Sequence, residues 1–239
     1  MGPEIVQHPL ARADGSTAFC SDLYTVVAGV NGPVEVQRRD ELPEEAAIEV
    51  NLRPISGVGG PRERWLETVL HAVLKSVLLV NMHPRTLIQI TLQVTHEPIL
   101  KWQRTATDIS IIPTLLNAAF AALIDGGLPL AATTAAALAI IREDGEVIID
   151  PQEKQMSSFK SIHAMAFDQH GSQLLEESSG EITVESWRMV ATAAQQACIA
   201  AMAPGDEDAA MSNGGIEAAP WLRETLREHA VSADAWREA

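Results

Sequence analysis

The sequence predicts a layered α+β fold. Three observations carry that expectation. Apolar residues alternate with polar ones in several short runs. Three longer stretches repeat their apolar residues at three and four. The elements follow in the order strands, helix, strand, helix, strands, helix. A β-rich segment, then helix–strand–helix, then a second β-rich segment and a helix suggests two related halves.

Each element has a local reason. Arg12-Ala13-Asp14-Gly15-Ser16 is a turn, because Asp-Gly accepts the positive φ of a tight connection. It leads into β-rich runs at 17–20 and 23–30 that form a hairpin, and Asn31-Gly32-Pro33 ends the second. In 46–55, Ile48, Val50 and Leu52 alternate with Glu49, Asn51 and Arg53, a half-buried strand. Residues 57–61 make a loop, and Pro61 suits a first helical turn. Trp65, Leu66, Val69, Leu70, Val73, Leu74 and Val77 then line one face of a helix that Pro84 stops. Residues 87–94 alternate again as a strand. Thr107-Asp108 caps a second helix through Ile124, and Gly126-Gly127 ends it. Strand pairs follow at 135–141 with 146–149, and at 157–167 with 172–177. Thr183 caps a third helix, with Glu185 in its first turn.

The chain has 239 residues, enough for one large domain, expected over 1–203. Residues 204–239 then hold an acidic, glycine-rich linker and a short tail. In that tail Trp221, Leu222, Leu226 and Trp236 mark either an amphipathic helix or a disordered end. Thirty-two acids against 17 bases give a formal charge of −15, which repels a polyphosphate. Cys20 and Cys198 form no disulfide framework and are expected as reduced thiols inside a cell. The N-terminus lacks a basic, apolar leader, and the longest apolar run, near 128–141, is too short to span a bilayer. A soluble protein is expected.

Some residues invite chemistry. The turn after the strand Val147-Ile148-Ile149 carries two carboxylates, Asp150 and Glu153, which could serve as acids in a phosphotransfer or phosphorolysis site. The alternative is a turn acid and a solvated acid. His163 is the titratable residue in the next strand, either useful there or simply packed. Seven histidines show no ligand spacing with a third donor, so no metal is expected, and no cofactor either. Arg38-Arg39 is balanced by Asp40-Glu41 and Glu44-Glu45. Lys101, Trp102 and Arg104 combine base and aromatic as single-strand binders do, though a loop or interface reading weighs more.

Six motifs in register point further: Arg12-Ala13-Asp14-Gly15-Ser16, residues 27–33, Val50-Asn51-Leu52-Arg53-Pro54, Pro84-Arg85 before Ile88-Gln89-Ile90, residues 116–129, and Asp150-Pro151-Gln152-Glu153-Lys154-Gln155. In this order and spacing the chain resembles the ribonuclease PH family over about 12–203. The resemblance implies the ribonuclease PH fold, two βαβα halves in layered sheets and helices. Within the family it is most similar to ring subunits of the eukaryotic RNA exosome. That similarity implies homologous ring neighbours (nearest the subunit-forty-three homologue), RNA-binding cap subunits, an associated hydrolytic ribonuclease and RNA threaded through the assembly. It further implies a nuclear and nucleolar location, and a cytoplasmic one.

Active relatives bind phosphate through a Gly-Thr-Arg-like element at the second helix. Counting back from Leu116-Asn117, the resemblance places Ser110-Ile111-Ile112-Pro113 there, so Ile111 and Ile112 are degenerate positions and only the Ser110 hydroxyl could donate. Active relatives also carry two aspartates six residues apart, and counting forward places Met156 and Ile162 there. Arg62 and Arg64 open the first helix where relatives contact RNA or phosphate; the alternative for Arg64 is a surface residue paired with Glu63 or Glu67. The expectation is a structural, non-catalytic subunit. Its rival is an active exoribonuclease with an altered site of Asp150, Glu153 and His163.

Overall fold

Strands β1 (Glu4–Gln7), β2 (Gly15–Cys20) and β3 (Thr25–Glu35) form an antiparallel meander in the computed structural model, which describes residues 3–99, 104–203 and 221–234. β4 (Ala47–Arg53) is followed by helix α1 (Pro61–Val77) and β5 (Thr86–His96), and β4 and β5 are parallel. Parallel neighbours need a crossover, and α1 supplies it. The first sheet has the order β1-β2-β3-β5-β4. Helices α2 (Arg104–Ser110) and α3 (Ile112–Asp125) lead to the second half. There β6 (Thr134–Ile141), β7 (Val147–Ile149), β8 (Ser161–Asp168) and β9 (Gln173–Gly180) make an antiparallel sheet ordered β7-β6-β8-β9. Helices α4 (Val184–Met202) and α5 (Trp221–Asp234) complete the chain.

The core explains the layering. α3 packs on β2 and β3 on one side and on β6 on the other, so every residue from Ile112 to Leu123 is buried. A helix held between two sheets has no face to leave polar. For that reason Thr105–Asp125 is long and apolar enough to cross a bilayer, yet lies 83% buried inside the protein. Alternation along β6 and β8 then divides the second sheet. Leu138, Ile140, Ile162 and Ala164 face the α3 cluster. Ala137, Ala139, Met165 and Phe167 face α4.

Several boundaries differ from the sequence expectation. β1 is a strand the alternation of so short a segment does not announce. β3 continues through Asn31-Gly32-Pro33, because Gly32 at φ 153° and a register shift between Asn31 and Val34 form a bulge that keeps the strand paired to β5. Thr107-Asp108 lies inside α2, and the single helix expected there is two, meeting at Ile111. β8 begins only at Ser161, since residues Glu153–Ser157 wind into a 3-10 turn. The halves also differ, as only the first contains a helical crossover. α5 settles one open alternative: Leu222 is buried, and Trp221 meets the Phe19 ring edge-on at 5.4 Å. The expected boundary at 203 therefore leaves outside the domain a helix that packs into it. The linker stretch, Lys101, Trp102 and Trp236 lie outside the described residues, as does the Arg104 side chain.

Candidate functional site

The end of α3 gathers three of the motifs. Gly15 lies against it so closely that a Cβ would stand 2.3 Å from the Ala122 carbonyl oxygen and from the Gly126 nitrogen. Only glycine permits backbone to approach backbone in this way. The Ser16 N–H donates to the Asp125 carboxylate at 2.7 Å, and His8 Nδ1 lies 2.9 Å from the same oxygen. Asp14 accepts from the Gly32 N–H at 2.8 Å. Midway along α3, Asn117 spans to β6: its Nδ2 donates to the Ala136 carbonyl at 2.8 Å, and its Oδ1 accepts from the Ala136 N–H at 2.9 Å. A buried amide so paired carries no desolvation penalty and fixes helix to sheet. These motif residues build the frame.

Asp150 closes β7 at φ 48°, a left-handed conformation that Asp tolerates better than most residues. Its N–H donates to the Leu138 carbonyl at 2.7 Å, and its Oδ1 accepts from the Leu138 N–H at 3.0 Å. The side chain thus continues the pairing of β6 one step past Ala139 and Ile149. Desolvation raises this carboxyl to about 6, with the Leu138 bond opposing and the Asp22 charge adding to the rise. The residue as a whole still meets solvent, so the desolvation is local to the oxygen that the strand covers. Glu153 Oε1 accepts from the Ile99 N–H at 3.0 Å.

His163 is fully buried in β8. Its Nδ1 lies 2.9 Å from Ser178 Oγ and its Nε2 3.0 Å from Ser161 Oγ. Burial lowers its pKa, against the pull of Glu176. Glu176 also receives the Trp187 indole N–H. So Asp150 bonds Leu138, Glu153 bonds Ile99, and His163 lies in the interior between Ser161 and Ser178.

Ser110 is buried, its Oγ donating to the Thr107 carbonyl at 3.0 Å and lying 2.7 Å from the Tyr24 hydroxyl. Burial pushes Tyr24 up to about 12, with the Ser110 bond opposing. Arg62 is spent internally. It bonds Asp108 of α2 and sits 3.8 Å from both Glu63 and Glu97, pinning the start of α1 to α2 and the end of β5. Its Nη2 is buried and without a hydrogen-bond partner among the described residues. Arg64 is exposed, and its anticipated partners are engaged elsewhere: Glu63 with the Gly60 N–H at 2.7 Å, Glu67 with the Leu52 N–H at 2.8 Å. Arg53, which sequence reasoning passed over, is also exposed, at the other end of the same loop. Neither arginine has an ion pair among the described residues; an unpaired strand-end arginine carries no periodicity that would mark it.

Residues 4–129 match the model of the 3' exoribonuclease family, domain 1, also named RNase PH. The chain belongs to that family. Among curated RNase PH relatives, it is 36% identical over 160 residues to exosome complex component RRP46 of Saccharomyces cerevisiae, covering 66% of this chain and 70% of that one. It is 35% identical over 161 residues to the exosome complex exonuclease RRP46 homolog of Oryza sativa, covering 67% and 63%. The crystal structure of rice Rrp46 superposes with a TM-score of 0.68 at 30% identity, over 81% of this chain and 88% of that one. An Archaeoglobus fulgidus exosome with RNA bound shares the fold at a TM-score of 0.63 and 15% identity, over 81% and 84%.

On this RNase PH frame, Ile111, Ile112, Met156 and Ile162 all lie in one core cluster, each at most 1% exposed. They lie beneath the surface. In the loop that carries Met156 the side chains open to solvent are Gln152, Lys154, Ser157, Ser158 and Lys160. Two solvent-facing pairs therefore lie six residues apart, Gln152 with Ser158 and Lys154 with Lys160. Neither holds a carboxylate; the acids of this stretch, exposed Asp150 and half-buried Glu153, are three residues apart. Among the described residues, no group of three His, Cys, Asp or Glu side chains could hold a metal ion.

Proposed function

We propose that this chain is a non-catalytic structural subunit in the ring of an RNA exosome. It supports 3'-to-5' RNA processing and turnover, including rRNA maturation, that associated nucleases carry out. The observation that carries this is the burial of Met156 and Ile162, apolar side chains where the resemblance places the two aspartates of active relatives, with no solvent-facing acids six residues apart in the 150–160 loop. A carboxylate that passes a proton to a leaving oxygen, or holds a metal ion on it, must stand where a substrate can meet it. The likeness to RRP46 components supports the place in a ring. The proposed neighbours are RNase PH-like ring subunits, with the subunit-forty-three homologue nearest. RNA-binding caps and a hydrolytic ribonuclease complete the assembly, with RNA threaded through it. The proposed locations are nucleus, nucleolus and cytoplasm.

One observation favours the rival reading, an active exoribonuclease: Asp150 is raised to about 6, a value suited to proton transfer near neutrality. A single assay separates the two. With a tailed RNA and inorganic phosphate, the isolated chain should release no nucleoside diphosphate, and a ring containing Asp150→Asn should perform as the unaltered ring does. Phosphate-dependent release that disappears with Asp150→Asn would overturn the structural reading.

A further inference from the structure

We propose that the cleft at the start of α4 docks a protein segment presenting a lysine or arginine beside aliphatic residues. The cleft, of about 280 Å³, lies between the β6–β7 turn, Lys160 and the β9–α4 junction. Backbone builds its walls. The Lys160 N–H donates to the Ile141 carbonyl at 2.7 Å, and the Glu181 N–H to the Lys160 carbonyl at 3.2 Å. Gly180, at φ 114°, lets the two segments close, since a Cβ there would stand 2.4 Å from the Lys160 oxygen.

Its lining carries three carboxylates, Glu143, Asp144 and Glu181, against the ammonium of Lys160, which sits 3.9 Å from Glu181. Glu143 accepts one bond from the Ser158 hydroxyl, and Asp144 one from the Glu146 N–H. A carboxylate offers about four acceptor sites, so each keeps most of its capacity. Beside these acids the lining offers two exposed apolar side chains, Ile182 at 39% and Met189 at 54%.

The combination selects its occupant. RNA is excluded, because a polyphosphate meets three acids. A bare cation has no use for the apolar shelf. A lysine or arginine uses both, laying its methylenes on Ile182 and Met189 while its head reaches the carboxylates. Aliphatic neighbours in the same segment complete the cover of Ile182 and Met189. The inference needs only this surface and stands apart from the ring assignment.

The test uses the full chain, tagged and expressed in its own cells, with benzoylphenylalanine in place of Ile182, which lines the cleft. After irradiation, the cross-linked peptide is sequenced by mass spectrometry. The expected peptide holds Lys or Arg next to Leu, Ile, Val or Met. Its yield should fall about tenfold with the exposed double change Asp144→Lys and Glu181→Lys. It should fall also with Met189→Ser, while the melting temperature holds. Cross-links to RNA, to a second copy of this chain or to an acidic peptide would overturn the proposal, as would no cross-link or a yield indifferent to charge reversal. A specific cross-link on a chain found in no larger assembly would sink the ring reading and leave this one standing.

Discussion

Burial moves Asp150 and His163 in opposite directions. Asp150 is raised from 3.8 to about 6, so its carboxylate form is the costlier one when folded. Its contribution to stability is full below pH 3.8 and is lost as pH rises through 6. Asn keeps the acceptor for Leu138 and tolerates the same backbone. Asp150→Asn is therefore expected to gain stability relative to the parent between pH 4 and 7, by about 1 kcal/mol after allowance for solvent screening. Denaturant titrations across that range measure it, and a flat difference would contradict the desolvation argument. His163 runs the other way: its lowered pKa gives stability that is full above 6.5 and lost as pH falls. The arginines separate by burial. Arg62→Ala leaves Asp108, Glu97 and Glu63 facing one another and should cost about 2 kcal/mol, whereas exposed Arg64→Ala should stay within about 0.5 kcal/mol in the same unfolding measurement.

At the scale of elements, contact between helix ends and strands matters more than helix propensity. Gly15→Ala drives a methyl into the backbone at the end of α3, where no rotamer can relieve it. Loss of about 3 kcal/mol or failure to fold is expected, read as soluble yield and melting temperature. α5 offers a gentler probe. Leu222 is 1% exposed, and Leu222→Ala should cost about 2–3 kcal/mol. Were α5 only an appendage, that change would leave the melting temperature where it was.

For the whole molecule, net charge sets the terms of any encounter with RNA. At −15, the isolated chain is expected to show no salt-sensitive RNA binding in a filter or anisotropy assay. Tight binding that weakens steeply with salt would mean that Arg53, Arg64, Lys154 and Lys160 act together as a basic track. The proposed ring makes a separate demand. Native mass spectrometry of the tagged protein should find it with several distinct homologous subunits, and a lone chain or homo-oligomer would refute the ring.

The α+β class, most of the strands, α1, α4 and the family register were legible because they rest on local signals. Alternation, a Thr183 cap, a helical stripe and turn glycines act within a few residues of themselves. The bulge at Gly32 and the break at Ile111 were not, because each depends on which distant strand or helix a segment meets. The candidate site divides likewise. The sequence by itself told that Ile111, Ile112, Met156 and Ile162 are apolar and that Asp150 follows a buried strand. Tertiary structure alone decided that those four lie in the core, that Lys154 and Lys160 face solvent, that Arg62 is consumed by three acids, and that Asp150 serves Leu138. Composition along a chain specifies what a side chain can do; burial and the nearest partner, set by residues far away in sequence, determine whether it does it.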